Sequence, residues 1–188
     1  LYKTGEVFAS IDVTEGIYQP VYSVKGLPGA EYEIRATEDI VTPDGTVRYT
    51  AGDMVDTIIT DKNGYVESKA LYLGKYEIKE IKAPHGMVLS DEVHTVELIY
   101  AGQEVEITET SAELWNDRQK ITVMLDKLMK QDDIFGIGQN DEITSVVFGL
   151  YAAKELTAAD GTVIPEDGLI EVMTVNENGT VVCKSDLP

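Results

Sequence analysis

Cysteine and histidine are scarce in this sequence of 188 residues, which holds one cysteine and two histidines. The lone cysteine, Cys183, cannot form an intrachain disulfide, so the usual covalent staple of small secreted domains is excluded. His85 and His94 have no ligand-like spacing to each other or to Cys183, which argues against a zinc site. We therefore expect no metal and no cofactor.

Positive charge is also scarce, with 15 basic residues against 34 acidic ones and a formal net charge of -19. Binding to nucleic acid or to an anionic membrane face requires clustered lysine and arginine. The charge balance therefore excludes both as partners. It favours a soluble, self-repelling surface.

Long apolar runs are missing, since none reaches the roughly 18 residues of a membrane-spanning helix. No signal peptide opens the chain. It begins at Leu1 without a methionine and stops at Pro188 in the middle of an alternating pattern, so we interpret it as a fragment. We expect no membrane insertion in this fragment.

Alternating apolar and polar residues dominate what is there, as in residues 31–35, 75–79 and 95–98. A period of two is typical of half-buried strands, and no convincing long amphipathic helix interrupts it. Turn signals such as Pro43-Asp44-Gly45 and Asn63-Gly64 separate the runs. Many short strands at this spacing predict an all-β sandwich or barrel.

An internal repeat divides the chain. Residues 32–47 align without gaps on residues 148–163, and Asn63-Gly64 matches Asn178-Gly179 further along. We therefore predict one module over residues 26–119 and the first half of a second over residues 120–188. Residues 1–25 match poorly and hold the first strands. The short polar connection between the modules favours a semi-rigid tandem.

Two segments of the first module carry a family resemblance: Gly-Ala-Glu-Tyr-Glu-Ile at 29–34, and Leu-Gly-Lys-Tyr-Glu-Ile-Lys-Glu-Ile-Lys-Ala-Pro-His-Gly-Met at 73–87. They resemble the B-type, prealbumin-like repeat of Gram-positive collagen-binding adhesins and SpaA-type pilins. The resemblance implies tandem Ig-like (prealbumin-like) β-sandwich modules, the second one truncated. It also implies an extracellular protein anchored to the cell wall.

Domains of this family are often tied by a Lys–Asn isopeptide bond formed beside a catalytic glutamate, so each of the three residues has to be found here. Glu80 shares its strand face with Tyr76 and Ile78, which points it toward the core, unless the strand ends near Ile78 and Glu80 faces solvent. Asn116 takes the place of the family's asparagine, although Asn116-Asp117 is also an ordinary strand-end pair.

The lysine is harder to place. Lys25 is nearest in sequence to the first module, but it stands closer to Gly29 than the family pattern requires. In the second module Ile121, Val123 and Leu125 share a face with Lys127, which makes Lys127 the predicted donor there. The alternative for Lys127 is a frayed strand end with its amine in water.

The favoured function is a structural stalk or adhesin segment, in contact with neighbouring repeat modules of the same chain. No catalytic motif for an external substrate is present, so any chemistry is a single-turnover, autocatalytic cross-link. Two alternatives stay open: a ligand-binding module for a host matrix protein or glycan, and an accessory domain of a secreted enzyme. The sandwich fold hosts all three roles.

Overall fold

The computed structural model describes residues 1–105, 109–138 and 142–188. It is an all-β fold in which the described residues form 15 strands and one short 3-10 helix, Glu142–Ser145. No helix in this part of the chain is both long and apolar enough to cross a membrane. The predicted all-β class is confirmed.

The chain divides into two compact units. Unit 1 consists of residues 1–6 and 24–119, and unit 2 of residues 7–23 and 120–188. Sequence patterns gave no sign that residues 7–23 pack with the later part of the chain. The predicted module boundaries stay a prediction.

The strands of the first part of the chain are β1 (Tyr2–Thr14), β2 (Ile17–Gly26), β3 (Glu31–Ala36), β4 (Ile40–Val41), β5 (Val47–Tyr49), β6 (Met54–Ile59), β7 (Gly74–Lys82), β8 (Val93–Leu98) and β9 (Glu113–Asn116). One sheet has the order β6-β3-β7-β8 and another the order β2-β1-β9, while β4 and β5 form a small hairpin. The larger sheet is antiparallel throughout, whereas β1 and β9 are parallel.

The core of unit 1 lies between these sheets because strand alternation sends every second side chain inward. β3 shows strict alternation, with Tyr32, Ile34 and Ala36 buried. Leu114 of β9 joins the same cluster from the other sheet. The two inward faces thus form a β-sandwich.

Unit 2 contains β10 (Met124–Asp126), β11 (Val147–Tyr151), β12 (Leu156–Thr157), β13 (Val163–Ile164), β14 (Leu169–Thr174) and β15 (Thr180–Val182). The strands pair as β10 with β15, β11 with β14 and β12 with β13, all antiparallel. One buried cluster combines Ala152, Ile164 and Ile170 with apolar residues from 7–23, and a second is formed by Met173, Val175 and Val181.

Candidate functional site

A buried polar cluster lies inside the sandwich of unit 1. Lys3, Glu80 and Asn116 are each 1–2% exposed, although such side chains are rarely buried unless paired. They come from β1, β7 and β9, which are far apart in sequence. The fold therefore brings an amine, a carboxyl group and a carboxamide together in an apolar interior.

Strand geometry explains how Glu80 becomes buried. On β7, Tyr76, Ile78 and Glu80 point inward, while Lys79 and Ile81 are exposed. Glu80 stands opposite Tyr32 in the pairing of β3 and β7. A carboxylate on the core face is costly unless its oxygens are paired, so its partners define the site.

Four donors surround the Glu80 carboxylate. The Lys3 Nζ lies 3.3 Å from Oε1, and the Tyr32 hydroxyl donates to the same oxygen at 3.1 Å. Asn116 Nδ2 donates to Oε2 at 2.7 Å, and the backbone N–H of Ser90 donates to Oε2 at 2.8 Å. Glu80 is thus the common partner of the amine and the amide.

Lys3 is held by its backbone as well as by its amine. Its N–H donates to the carbonyl of Gly64 at 2.7 Å, and its own carbonyl accepts from Leu27 N–H at 2.8 Å. The amine also lies 5.8 Å from the centre of the Tyr32 ring, within the range of a cation–π contact. Burial lowers the pKa of this amine below 10.5, although the charge of Glu80 acts in the opposite direction.

Tyr32 keeps its proton over the working pH range. Burial, followed by the neighbouring Glu80 charge, raises the pKa of this phenol above its ordinary value of 10.0. The hydroxyl therefore acts as a neutral donor to the carboxylate. Its ring lines the site from β3 and contributes to the apolar wall.

Asn116 is oriented by the loop that follows β7. Its Nδ2 donates to the carbonyl of Val88 at 2.7 Å in addition to Glu80, and Val88 N–H donates to the carbonyl of Asp117 at 2.8 Å. The amide oxygen Oδ1 is buried and has no hydrogen-bond partner. The carboxamide is therefore held through its nitrogen, while its oxygen is buried without a hydrogen bond.

The structure gives the predicted lysine, Lys25, an exposed position on β2. The amine that lies beside Glu80 is that of Lys3, which is buried and 3.3 Å from Oε1. Lys3 was missed because the opening residues match the family pattern poorly. One signal was available: Leu1-Tyr2-Lys3 and Leu125-Asp126-Lys127 share a Leu-x-Lys pattern.

Lys127 of unit 2 occupies the same backbone position as Lys3. Its N–H donates to the carbonyl of Gly179 at 2.7 Å, as Lys3 donates to Gly64. The Lys127 side chain is half-buried, and the salt bridges found among the described residues do not include it. No group of three His, Cys, Asp or Glu side chains in the described ranges is arranged to hold a metal ion.

Comparison with known proteins finds a family model that matches about half of the chain. The family model described as SpaA, prealbumin-like fold domain, matches residues 21–113. The Trypsin-resistant surface T6 protein of Streptococcus pyogenes serotype M6 is 28% identical over 143 residues, which are 74% of this chain. The chain spans 25% of the length of that relative.

Solved structures show low overall similarity. The Bacillus anthracis TIE protein is 18% identical, with a TM-score of 0.47, and the match covers 99% of this chain and 27% of that one. A streptococcal ancillary pilin is 19% identical with a TM-score of 0.35, over 99% of this chain and 50% of the other. The group B streptococcus pilus 2b backbone protein is 21% identical with a TM-score of 0.31, over 62% and 40%.

The family assignment rests on the sequence match and agrees with the sandwich of unit 1. The matched residues include β3 and β7, which carry Tyr32 and Glu80, and they extend into β9. The chain therefore contains a SpaA-type domain with the prealbumin-like fold.

Proposed function

We propose that unit 1 forms an intramolecular isopeptide bond between Lys3 Nζ and Asn116 Cγ, with Glu80 as the acid–base group. The observation that carries this proposal is the buried carboxylate bridging the amine and the amide through its two oxygens. An amine attacks only when it is neutral, and burial lowers the pKa of Lys3 in the required direction.

The reaction is a transfer of an acyl group from ammonia to lysine. Lys3 passes a proton to Glu80 Oε1, and the neutral amine attacks Asn116 Cγ. The new C–N bond forms and the bond from Cγ to Nδ2 breaks. The two protons that the Lys3 ammonium loses leave with Nδ2 as ammonium, after transfer through the Glu80 carboxyl group. The products are a secondary amide and an unchanged Glu80 carboxylate.

In this role the segment is a structural part of an extracellular, wall-associated surface protein. The similarity to a streptococcal surface protein and the SpaA match support that location. The acidic surface and the all-β fold suit a stalk or adhesin segment. Neighbouring prealbumin-like modules are its proposed partners, and Lys127 is the proposed donor of a corresponding bond in the second module.

The test is the intact mass of the purified chain of residues 1–188. We expect a mass about 17 Da below that of the sequence, which is the loss of one ammonia on amide exchange. Lys3→Ala, Glu80→Ala and Asn116→Ala are each expected to keep the full mass. Peptide mapping should recover Lys3 and Asn116 in one branched peptide.

Lys25→Ala is the matched control, since it removes an exposed lysine from the neighbouring strand β2. It is expected to show the same mass loss as the unmodified sequence. A wild-type chain at full mass, or a mass loss that persists in Lys3→Ala, would disprove the assignment.

A further inference from the structure

Each unit contains a connecting segment that follows its lysine, Lys3 in unit 1 and Lys127 in unit 2. In unit 1 the chain runs from Lys3 to β3, and in unit 2 from Lys127 to β11. Both lysines donate their N–H groups to the glycine of an Asn-Gly turn, Gly64 and Gly179, at 2.7 Å. β3 and β11 are the strands related by the internal repeat. The two connections can therefore be compared directly.

The first connection includes the arm, defined as residues 7–23, which packs within unit 2. Backbone N–H groups of Ala159 and Asp160 donate to the carbonyls of Phe8 and Ala9 at 3.0 and 3.1 Å. The apolar side chains of the arm cover a face of unit 2 formed by buried residues. This contact joins Phe8, Ile11 and Tyr18 to Ala152, Ile164 and Ile170.

The second connection includes a hairpin, defined as residues 131–138. Asp132 and Ile137 exchange backbone hydrogen bonds of 2.9 and 3.1 Å, and the Asp132 carboxylate accepts from the N–H groups of Ile134 and Phe135. Ile134 and Phe135 are 88% and 77% exposed. The nearby Leu128 is 87% exposed. A hydrogen-bonded turn thus presents large apolar side chains to solvent.

One residue distinguishes the turns that could receive such a hairpin. Ala159 lies in the turn between β12 and β13, and the gapless repeat alignment places Pro43 at the same position between β4 and β5. The turns are otherwise alike: Gly161 N–H donates to Ala158 carbonyl and Gly45 N–H to Thr42 carbonyl. Proline has no N–H, so the turn of unit 1 cannot donate the hydrogen bond that Ala159 gives to the arm.

We propose that the hairpin is the second module's counterpart of the arm and binds a further prealbumin-like module. That module would carry apolar residues at the positions of Ala152, Ile164 and Ile170, and a residue with an N–H at the position of Ala159. Within a second copy of this chain, the turn of unit 1 lacks the N–H of Ala159 because Pro43 stands there, and the arm occupies the face of unit 2. The partner is therefore another module with an open face.

The face of unit 2 can serve as the probe once its own arm is displaced. An acceptor chain would carry Phe8→Asp and Ile11→Asp to unseat the arm, together with Phe135→Asp to prevent self-pairing. The wild-type chain is the donor. We expect one donor to bind one acceptor in sedimentation velocity, and amide signals of Ala152, Ala159 and Ile164 in the labelled acceptor to shift on titration.

Two donor variants provide the comparison. Ile134→Asp with Phe135→Asp should abolish binding, because the exposed apolar pair of the hairpin is removed. Tyr100→Asp changes an apolar residue that is 66% exposed outside the hairpin, and it should bind like the wild type. Adding Ala159→Pro to the acceptor should also abolish binding, because it removes the N–H that the turn of unit 1 lacks.

Equal binding by the hairpin variant and the wild type would overturn the proposal. So would the absence of binding to an acceptor whose residues 120–188 keep dispersed amide signals. If the aspartate acceptor loses its fold, a milder acceptor with Phe8→Ala and Ile11→Ala replaces it. Equal binding by the hairpin variant, or no binding to this folded acceptor, would then overturn the proposal. None of these readouts depends on formation of the isopeptide bond.

Discussion

At the scale of single residues, the environments of the polar side chains differ sharply between the units. In unit 1 a buried glutamate, Glu80, is contacted by the side chains of Lys3, Tyr32 and Asn116. In unit 2 the lone cysteine has its own acidic partner, because the Cys183 thiol donates to Glu171 Oε2 at 3.1 Å. A glutamate thus accepts hydrogen bonds at both places, from an amide and a phenol in unit 1 and from a thiol in unit 2.

Cys183 is expected to be a poorly reactive thiol. Burial, followed by the hydrogen bond to Glu171, raises its pKa to about 11. Since the thiolate is the reactive form, alkylation by iodoacetamide at pH 8 should be about two orders of magnitude slower than in the urea-unfolded chain. The measurement is the time course of mass addition in the two states.

The variant Glu171→Gln tests the cause of that low reactivity. Burial opposes ionisation of Glu171, yet hydrogen bonds from Cys183 and from the backbone N–H groups of Ser185 and Lys184 lower the pKa of Glu171 to about 2. Glu171 is thus charged at pH 8, and its neutral replacement should accelerate alkylation of the folded chain. A native thiol that reacts as fast as the unfolded one would contradict this account.

At the scale of elements, the Asn-Gly turn after β6 positions β1, the strand that carries Lys3. Gly64 has a φ of +79°, and a Cβ added there would lie 2.6 Å from the backbone nitrogen of Leu27. The close approach lets its carbonyl accept from Lys3 N–H. A glycine is required at this position because both the backbone conformation and the available space exclude a side chain.

Gly64→Ala is therefore expected to destabilise unit 1 and to slow the mass loss of the cross-link. Gly45→Ala is the matched control, since Gly45 has a φ of +80° but open space around its Cβ position. The control should lose about 1–2 kcal/mol of unfolding free energy from the backbone strain alone. The Gly64 variant should lose more, as measured by urea unfolding. Equal losses would show that the contact with Leu27 and Lys3 does not matter.

Strand alternation explains what could be predicted at this scale. The inward side of β7 followed from Tyr76 and Ile78, and Glu80 lies on that side. Lys3 shares its face with Leu1, Gly5 and Val7, but the opening residues match the family pattern poorly, so this row did not identify Lys3 as the family's lysine. Its burial depends on close backbone contacts made by residues distant in sequence. Tyr32 lies in a segment that carries the family resemblance, but its contact with Glu80 depends on the pairing of β3 and β7.

At the scale of the whole molecule, sequence order and compact units do not coincide. Residues 7–23 interrupt the sequence of unit 1 but pack within unit 2. Period-two alternation fixes which residues face inward, but it carries no information about which unit a strand joins. The repeat in the sequence could therefore predict related modules. It could not predict that the arm packs within unit 2, because that depends on three-dimensional packing.

The cross-link is expected to stabilise unit 1 selectively. Lys3 and Asn116 both belong to unit 1, so a bond between them constrains only the unfolded form of that unit. By analogy with a disulfide, Asn116→Ala should lower its unfolding free energy by about 2–4 kcal/mol. Hydrogen exchange in urea should show the loss at Tyr32 and Ile78 but not at Met173 or Val181.

Lys25→Ala again serves as the control and should leave exchange in both units unchanged. An equal loss of protection in the two units on Asn116→Ala would contradict a stabilising effect confined to unit 1.

The parallel pairing of β1 with β9 has a mechanical consequence. Lys3 stands beside Leu114 and Gly5 beside Asn116, so the proposed bond joins the first and last strands of unit 1. A pulling force that enters at Lys3 and leaves at Asn116 would travel through one covalent side-chain link. The hydrogen bonds of the sheet between these residues would carry almost none of the tension, so the segment could not lengthen by unravelling its intervening strands.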